Sequence, residues 1–385
     1  MALVGLLLTG CSPQSQNAYE VAQESLEKAA QQLTLSIENL GDTERNPRSA
    51  ENGKIRQVRA RDWTSGFYPG CLWYMYEHTN DELFLEAAKR FTETLEKNQF
   101  NTGTHDLGFM MYCSFGNGDR LAGVTGYKNV AIQSARSLAS RFRPAVGCIR
   151  SWDHNRDKWD YPVIIDNMMN LELLFWAARE IGDTSLSDIA ISHAETTLKN
   201  HFREDNSSYH VIAYDTLTGE VAQRNTHQGY AHESAWARGQ AWGLYGFTMV
   251  YRETQDQKFL DQAKKIADLI LNHENLPEDM VPYWDFNDPD IPDVPRDASA
   301  GAIICSALYE LGQHLGEAGE EYEIAADEIL KSLATEKYTA EIGANNNFIL
   351  MHSVGSMPGD SEVDVPLIYA DYYFIEACLR KLNLE

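Results

Sequence analysis

Two kinds of apolar segment alternate along this chain of 385 residues, and that alternation limits the fold more than any other feature. Segments near 19–40, 81–99, 127–142, 184–202, 257–274 and 320–338 are apolar on one face, with Glu, Lys and Gln on the other. Leu83-Phe-Leu-Glu-Ala-Ala-Lys-Arg-Phe-Thr-Glu-Thr-Leu95 is typical. Between them, segments near 66–79, 108–116, 166–181, 235–253, 299–315 and 364–381 are rich in aromatic, Gly and Ala residues and poor in charge. Gly301-Ala-Ile-Ile-Cys-Ser-Ala-Leu-Tyr-Glu-Leu311 represents this group. A helix that is apolar all round is buried, and an amphipathic one covers it. Six such pairs predict two concentric layers, an all-α (α/α)6 barrel of six helical hairpins with the apolar helices inside. An irregular helical bundle or solenoid would share the alternation. Tyr209-His-Val-Ile-Ala-Tyr-Asp-Thr-Leu-Thr-Gly-Glu-Val221 alternates and then turns, which predicts a small β-hairpin insertion.

A formal net charge of -25 argues against nucleic acid or an anionic membrane surface as partner. It does not exclude an acidic small molecule, because the global repulsion is screened beyond about 8 Å and local cations override it. The chain begins with a short apolar run ending in Leu-Thr-Gly-Cys11, which resembles a bacterial lipoprotein signal cut before Cys11, although no Lys or Arg precedes it. The run is too short to span a bilayer. This pattern predicts residues 1–18 as signal and tether and 19–385 as a single catalytic domain. The location expected is periplasmic or membrane-anchored, with membrane contact only through a lipid on Cys11. Cys71, Cys113, Cys148, Cys305 and Cys378 are odd in number and scattered, as expected of buried core thiols.

Loops carrying acidic, His or Trp residues lead into nearly every apolar segment. They are Asp62-Trp63-Thr-Ser-Gly66, Thr104-His105-Asp106-Leu-Gly108, Ile165-Asp166-Asn167, residues 227–240, Arg296-Asp297-Ala-Ser-Ala300 and Asp360-Ser-Glu-Val-Asp364. Ser, Asp and Asn at helix starts are ordinary N-caps, a reading that suits Asp297 or Ser361 taken singly. It does not explain Trp63, His105, His227 and Arg238 beside them. In a barrel these loops converge on one mouth, and convergent polar and aromatic groups make a ligand site. The stretch from His227 to Phe247 brings Gln228, Arg238, Gln240 and Trp242 together, side chains suited to gripping a sugar and its acid groups.

Asp166 follows Pro162-Val-Ile-Ile165 and precedes Asn167-Met-Met-Asn170, an apolar setting that raises a carboxyl pKa and keeps a proton available. Asp106 is the second candidate carboxylate. No H-E-x-x-H spacing, Walker loop, dinucleotide fingerprint or G-x-S-x-G elbow occurs, so neither a metal nor a cofactor is expected.

The chain resembles glycoside hydrolase family 88, the unsaturated glucuronyl hydrolases. The resemblance is carried by Trp63-Thr-Ser-Gly-Phe67, His105-Asp-Leu-Gly-Phe109, Asp166-Asn-Met-Met-Asn170, His227-Gln-Gly-Tyr-Ala231, Ser234-Ala-Trp-Ala-Arg-Gly-Gln-Ala-Trp-Gly243, Arg296-Asp-Ala-Ser-Ala300 and Tyr369-Ala-Asp-Tyr-Tyr373, in order along nearly the whole chain. It implies hydrolysis of lyase-generated glycosaminoglycan oligosaccharides of the chondroitin, hyaluronan or heparin type, which end in a 4,5-unsaturated uronic acid. It also implies hydration of the C4=C5 bond rather than protonation of the glycosidic oxygen, with Asp166 as general acid/base and Asp106 helping to hold substrate and order the water. Carried over in the same way, His210 and Gln228 lie near the unsaturated ring, and Arg238 and Trp242 are binding positions. Arg238 takes the carboxylate side on charge grounds. Trp63 and Trp152 are the expected stacking walls, and His105 a binding residue. Relatives that prefer sulfated chondroitin units carry Ser-x-x-Ser-x-Lys near the C-terminus, whereas Ser353-Val-Gly-Ser356-Met-Pro358 here lacks the Lys. The rival readings are a family 105 unsaturated rhamnogalacturonyl hydrolase on the same barrel and a non-catalytic carbohydrate-binding lipoprotein.

Overall fold

The structure, a computed structural model, describes residues 17–384. Cys11 and the stretch read as a signal lie outside the described residues.

The helices are α1 (Ala18–Leu40), α2 (Phe67–Thr79), α3 (Glu82–Glu93), α4 (Asn117–Ala122), α5 (Tyr127–Ala139) and α6 (Glu172–Ile181), followed by α7 (Ser185–Asn200), α8 (Ala237–Thr254), α9 (Gln257–Leu271), α10 (Ala298–Leu315), α11 (Glu320–Leu333) and α12 (Ile368–Asn383). A π-helix, Gly108–Gly116, runs directly into α4. A 3-10 turn, Ile165–Asn170, leads into α6. The ring expected from the alternation closes: α2 packs on the π-helix, the π-helix on α6, and α6 with its 3-10 turn on α8. From there α8 packs on α10, α10 on α12, and α12 back on α2. Helices α3, α5, α7, α9 and α11 cover this ring, and α1 lies along α12 and α11. The molecule is an (α/α)6 barrel.

Burial explains the two compositions. Every residue of α10 from Ala298 to Gly312 is buried, whereas α3 buries only Phe84, Ala87, Ala88, Phe91 and Thr92 along one stripe. Small residues let the inner helices approach. A Cβ on Gly66 would lie 2.1 Å from the Phe109 carbonyl oxygen, and one on Gly108 would lie 2.5 Å from the Asn170 Cα. Cys71, Cys113, Cys148, Cys305 and Cys378 are all free and buried in these layers, as the scattered spacing predicts.

The β content exceeds the single insertion expected. Strands β1 (Asn46–Glu51) and β2 (Lys54–Val58) form one hairpin, and β3 (Phe142–Arg143) pairs with β4 (Cys148–Ile149). Strands β5 (Tyr161–Ile164), β6 (Val211–Tyr214) and β7 (Val221–Asn225) make a three-stranded sheet, so the expected hairpin is present but β5 extends it. Strands β8 (Ser353–Ser356) and β9 (Ser361–Val365) form a last hairpin before α12. These strands are short, and Glu362 and Asp364 in β9 have φ of 57° and 55°, so the period-2 pattern that marks a strand is broken there.

Candidate active site

Local turns aim the side chains. Asp62 accepts hydrogen bonds from the backbone N–H (3.0 Å) and hydroxyl (2.7 Å) of Thr64, a tight turn that sets Trp63 just ahead of α2. The His105 N–H donates to the Ser151 carbonyl at 3.0 Å, pinning the loop before the π-helix against residues 151–152. In the sheet, Ile164 pairs with Val211, and the Ile165 N–H donates to the His210 carbonyl at 3.1 Å. That register brings Asp166 and His210, 44 residues apart in sequence, to the same spot.

Five of the six loops expected to converge do so around a cavity of about 360 Å³; the Arg296–Ala300 loop adds no lining residue and reaches the site only through the Asp297–Arg238 pair. Trp63, His105, Asp106, Trp152, Asp166, Gln228 and Arg238 all line it. His210 stands behind Asp166, its Nε2 3.7 Å from Asp166 Oδ2. Trp242 corrects the expectation of a binding contact: it is fully buried and absent from the lining. Its ring packs on Phe109 at 5.3 Å and Tyr373 at 5.6 Å, so it supports Phe109, which does face the cavity. The cause is its place one full turn after Arg238 on α8, deeper in the barrel. Gln240 is also buried, binding the Ser208 backbone rather than the cavity. Asp297 is both N-cap and site support: its Oδ1 accepts from the N–H groups of Ser299 and Ala300, and its Oδ2 pairs with Arg238 at 3.0 Å.

Arg48 and His154 also line the cavity and carried no sequence signal. Arg48 comes from β1 and is held there by Glu362 and Asp62. His154 lies 5.1 Å from the Trp152 ring at an interplanar angle of 16°. The aromatic walls are thus Trp63 with Tyr369 and Phe109, at 5.0 and 5.5 Å, and Trp152 with His154 and His227.

The two carboxyls are set apart electrostatically. Burial raises the Asp166 pKa to about 6, against the pull of His105 and Arg238. Burial acts on Asp106 too, but the His105 imidazole at 3.1 Å and the Thr104 hydroxyl outweigh it and hold that carboxyl below its usual range. One carboxyl is therefore suited to carrying a proton near neutral pH and the other to staying ionised. Several buried polar atoms here lack a protein hydrogen-bond partner: Asp166 Oδ2, His210 Nε2, Trp152 Nε1, Tyr369 OH and His105 Nδ1. Buried polar atoms are seldom left unpaired, and such a group around one cavity marks where a hydroxyl- and carboxyl-bearing ligand is received. Among the described residues, no group of three or more His, Cys, Asp and Glu side chains is arranged to hold a metal ion.

The comparisons with known proteins agree with this geometry. An unsaturated glucuronyl hydrolase of Formosa agariphila is 50% identical over 331 residues, covering 86% of this chain and 82% of the relative. An unsaturated chondroitin disaccharide hydrolase of Streptococcus agalactiae is 34% identical over 364 residues, covering 93% of this chain and 90% of the relative. The crystal structure of an unsaturated glucuronyl hydrolase specific for heparin superimposes with a TM-score of 0.92 at 49% identity, covering 95% of this chain and 98% of that one. The family model Glycosyl Hydrolase Family 88 matches residues 41–376, nearly the whole barrel and every cavity-lining side chain, so the chain belongs to glycoside hydrolase family 88.

Proposed function

We propose that this enzyme removes a 4,5-unsaturated uronic acid from the non-reducing end of lyase-generated glycosaminoglycan oligosaccharides by hydrating the C4=C5 bond. The observation that carries the reading is Asp166. It is a buried carboxyl with a pKa raised to about 6, facing an aromatic-walled cavity beside an ionised Asp106. Protonated Asp166 gives its proton to C4, and charge develops at C5 beside the ring oxygen. Water adds at C5 and returns a proton to the Asp166 carboxylate, so the residue ends as it began. The product is a hemiketal at C5. Its C5–O5 bond opens to a ketone, leaving a hemiacetal at C1 that expels the remaining sugar as the leaving alcohol. Asp106 and His105 orient the water and substrate hydroxyls, Arg238 offers its remaining donors to the uronate carboxylate, and Trp63 and Trp152 stack on the sugar faces. A relative that acts on chondroitin disaccharides and a structural neighbour specific for heparin support the glycosaminoglycan class. A lipid anchor on Cys11 at the bacterial envelope remains part of the proposal, tested by whether Cys11→Ala releases the protein from the membrane fraction.

The test is loss of ultraviolet absorbance from the conjugated C4=C5 bond, with unsaturated chondroitin, hyaluronan, heparin and rhamnogalacturonan disaccharides compared side by side. Loss with a glycosaminoglycan unit supports the reading. Loss only with the pectin unit, or none, overturns it.

A further inference from the structure

Beside the catalytic cavity, and separate from it, lies an open groove of about 420 Å³ lined by Arg141, Arg143, Arg150, Asp153 and Tyr161 among others. The chain has 57 acidic and 32 basic residues, so three arginines against one carboxylate is a local reversal of its charge. Asp153 is one carboxylate shared among several cations. Both its oxygens are engaged by Arg141, which is buried and also bound to the Thr102 carbonyl, and its Oδ1 lies 3.4 Å from Arg150 Nε and 3.9 Å from the Arg156 guanidinium. The Arg143 guanidinium is exposed, its Nε donating only to the Thr216 carbonyl at 2.8 Å. Arg150 rests on the Tyr161 ring at 5.6 Å and gives one N–H to the Asp160 carbonyl, while its Nε is ion-paired with Asp153 Oδ1 at 3.4 Å without a hydrogen bond. Burial, with the neighbouring Arg156 and Arg141 charges, lowers the Arg150 pKa against the pull of Asp153. Two guanidinium groups with spare donors above an aromatic floor match the geometry of a carboxylate or sulfate group.

The groove and the cavity share a wall. Thr102 lines the groove while Gly103 and Thr104 line the cavity, and Arg150 and Asp153 line the groove while Ser151, Trp152 and His154 line the cavity. The two stretches are bridged at Thr104 and Trp152. Residues adjacent in sequence thus face opposite sides of one wall, so the groove and the cavity are immediate neighbours.

We propose that this groove is a second binding site, which takes a carboxylate or sulfate group from the part of the oligosaccharide beyond the bond that is cleaved. It rests on the proposed function for the identity of the ligand. The proposal requires that a disaccharide end before the groove and that a longer anionic product of a lyase reach it.

The experiment compares kcat/KM for an unsaturated chondroitin sulfate disaccharide and hexasaccharide in the wild type, Arg143→Lys, Arg143→Gln and Arg143→Glu. Expected is a rise of about tenfold in hexasaccharide KM for the charge reversal, a smaller rise for Gln and little for Lys, with disaccharide kinetics unchanged. Equal loss on both substrates, or no loss on either, overturns the proposal. A calorimetric titration with a saturated chondroitin sulfate hexasaccharide, which has no double bond to hydrate, decides the groove independently of turnover. If the enzyme hydrolyses neither unsaturated substrate, the functional reading falls, while weaker binding of the saturated hexasaccharide by Arg143→Glu would still uphold the groove. Sodium sulfate titrated at constant ionic strength completes the set. Binding of inorganic sulfate without binding of the hexasaccharide would overturn the assignment to the sugar chain.

Discussion

His210 presents Nε2 to the Asp166 carboxyl because its Nδ1 is already occupied, accepting the backbone N–H groups of His227 and Gln228 at 3.0 Å each. An imidazole nitrogen that accepts carries no proton, so the proton sits on Nε2. Burial, with the nearby charges of His227 and Arg238, keeps His210 neutral by lowering its pKa well below the usual value. One ring therefore fixes the loop that carries Gln228 and offers an N–H toward the Asp166 carboxyl. His210→Ala is expected to lower kcat/KM by about 10²-fold. Initial rates on an unsaturated disaccharide check this, and near wild-type kinetics would remove His210 from the site.

Asp166→Asn is expected to lower kcat by about 10²- to 10⁴-fold, since the amide has no proton to give. The same change should stabilise the fold. A carboxyl whose folded pKa is raised from 3.8 to about 6 binds its proton more tightly in the folded state. Stability is therefore lost as pH rises through that window, at a cost of up to about 3 kcal/mol at pH 7. Removing the charge recovers that cost, and the gain vanishes below pH ~4, where the carboxyl is neutral in the unfolded chain as well as in the folded one. Urea unfolding of both proteins at the two pH values tests the sign. A variant no more stable than wild type at pH 7 would contradict the raised pKa.

Activity should fall on the basic side near pH 6 as Asp166 loses its proton, if chemistry limits kcat/KM. His105 pulls the Asp166 pKa down and Asp106 pushes it up. His105→Ala should therefore move the basic limb to higher pH and Asp106→Asn to lower pH. The two shifts have opposite sign, so a general loosening of the site would not reproduce them. Full pH–rate profiles of the three proteins decide it.

How much of this was legible depends on whether a feature is local in sequence. Composition declared the two layers, because a helix such as α10, buried on every side, cannot carry the charges that α3 displays. Asp166, His105 and Trp63 stood out because each sits within a few residues of an apolar helix start. Arg48 did not. Its place in the cavity depends on Glu362, 314 residues away, in a strand whose left-handed backbone erases the alternating pattern. His154 was hidden for a similar reason, as its role comes from stacking on Trp152 at the cavity rim. Trp242 shows the opposite error. An aromatic residue beside Arg238 reads as a sugar platform, yet helical periodicity turns it into the layer that backs Phe109.

Arg238 separates binding from stability, and its variants should show both. Its guanidinium lines the cavity but also pairs with Asp297 at 3.0 Å, the two side chains being 1% and 0% exposed. It further donates to the carbonyls of Val354 and Gly355, holding β8 against α8. Arg238→Ala leaves the Asp297 charge buried without its cation, and should destabilise the fold by about 3–5 kcal/mol as well as raising KM. Replacing both partners, as in Arg238→Met with Asp297→Ser, removes the stranded charge and keeps a helix N-cap for α10. That double variant should recover much of the lost stability, so the two changes will not add. Its KM should stay high, because methionine cannot hold a carboxylate. Urea midpoints and KM measured on the single and double variants resolve the two roles. Recovery of both together would mean that Arg238 serves the fold alone.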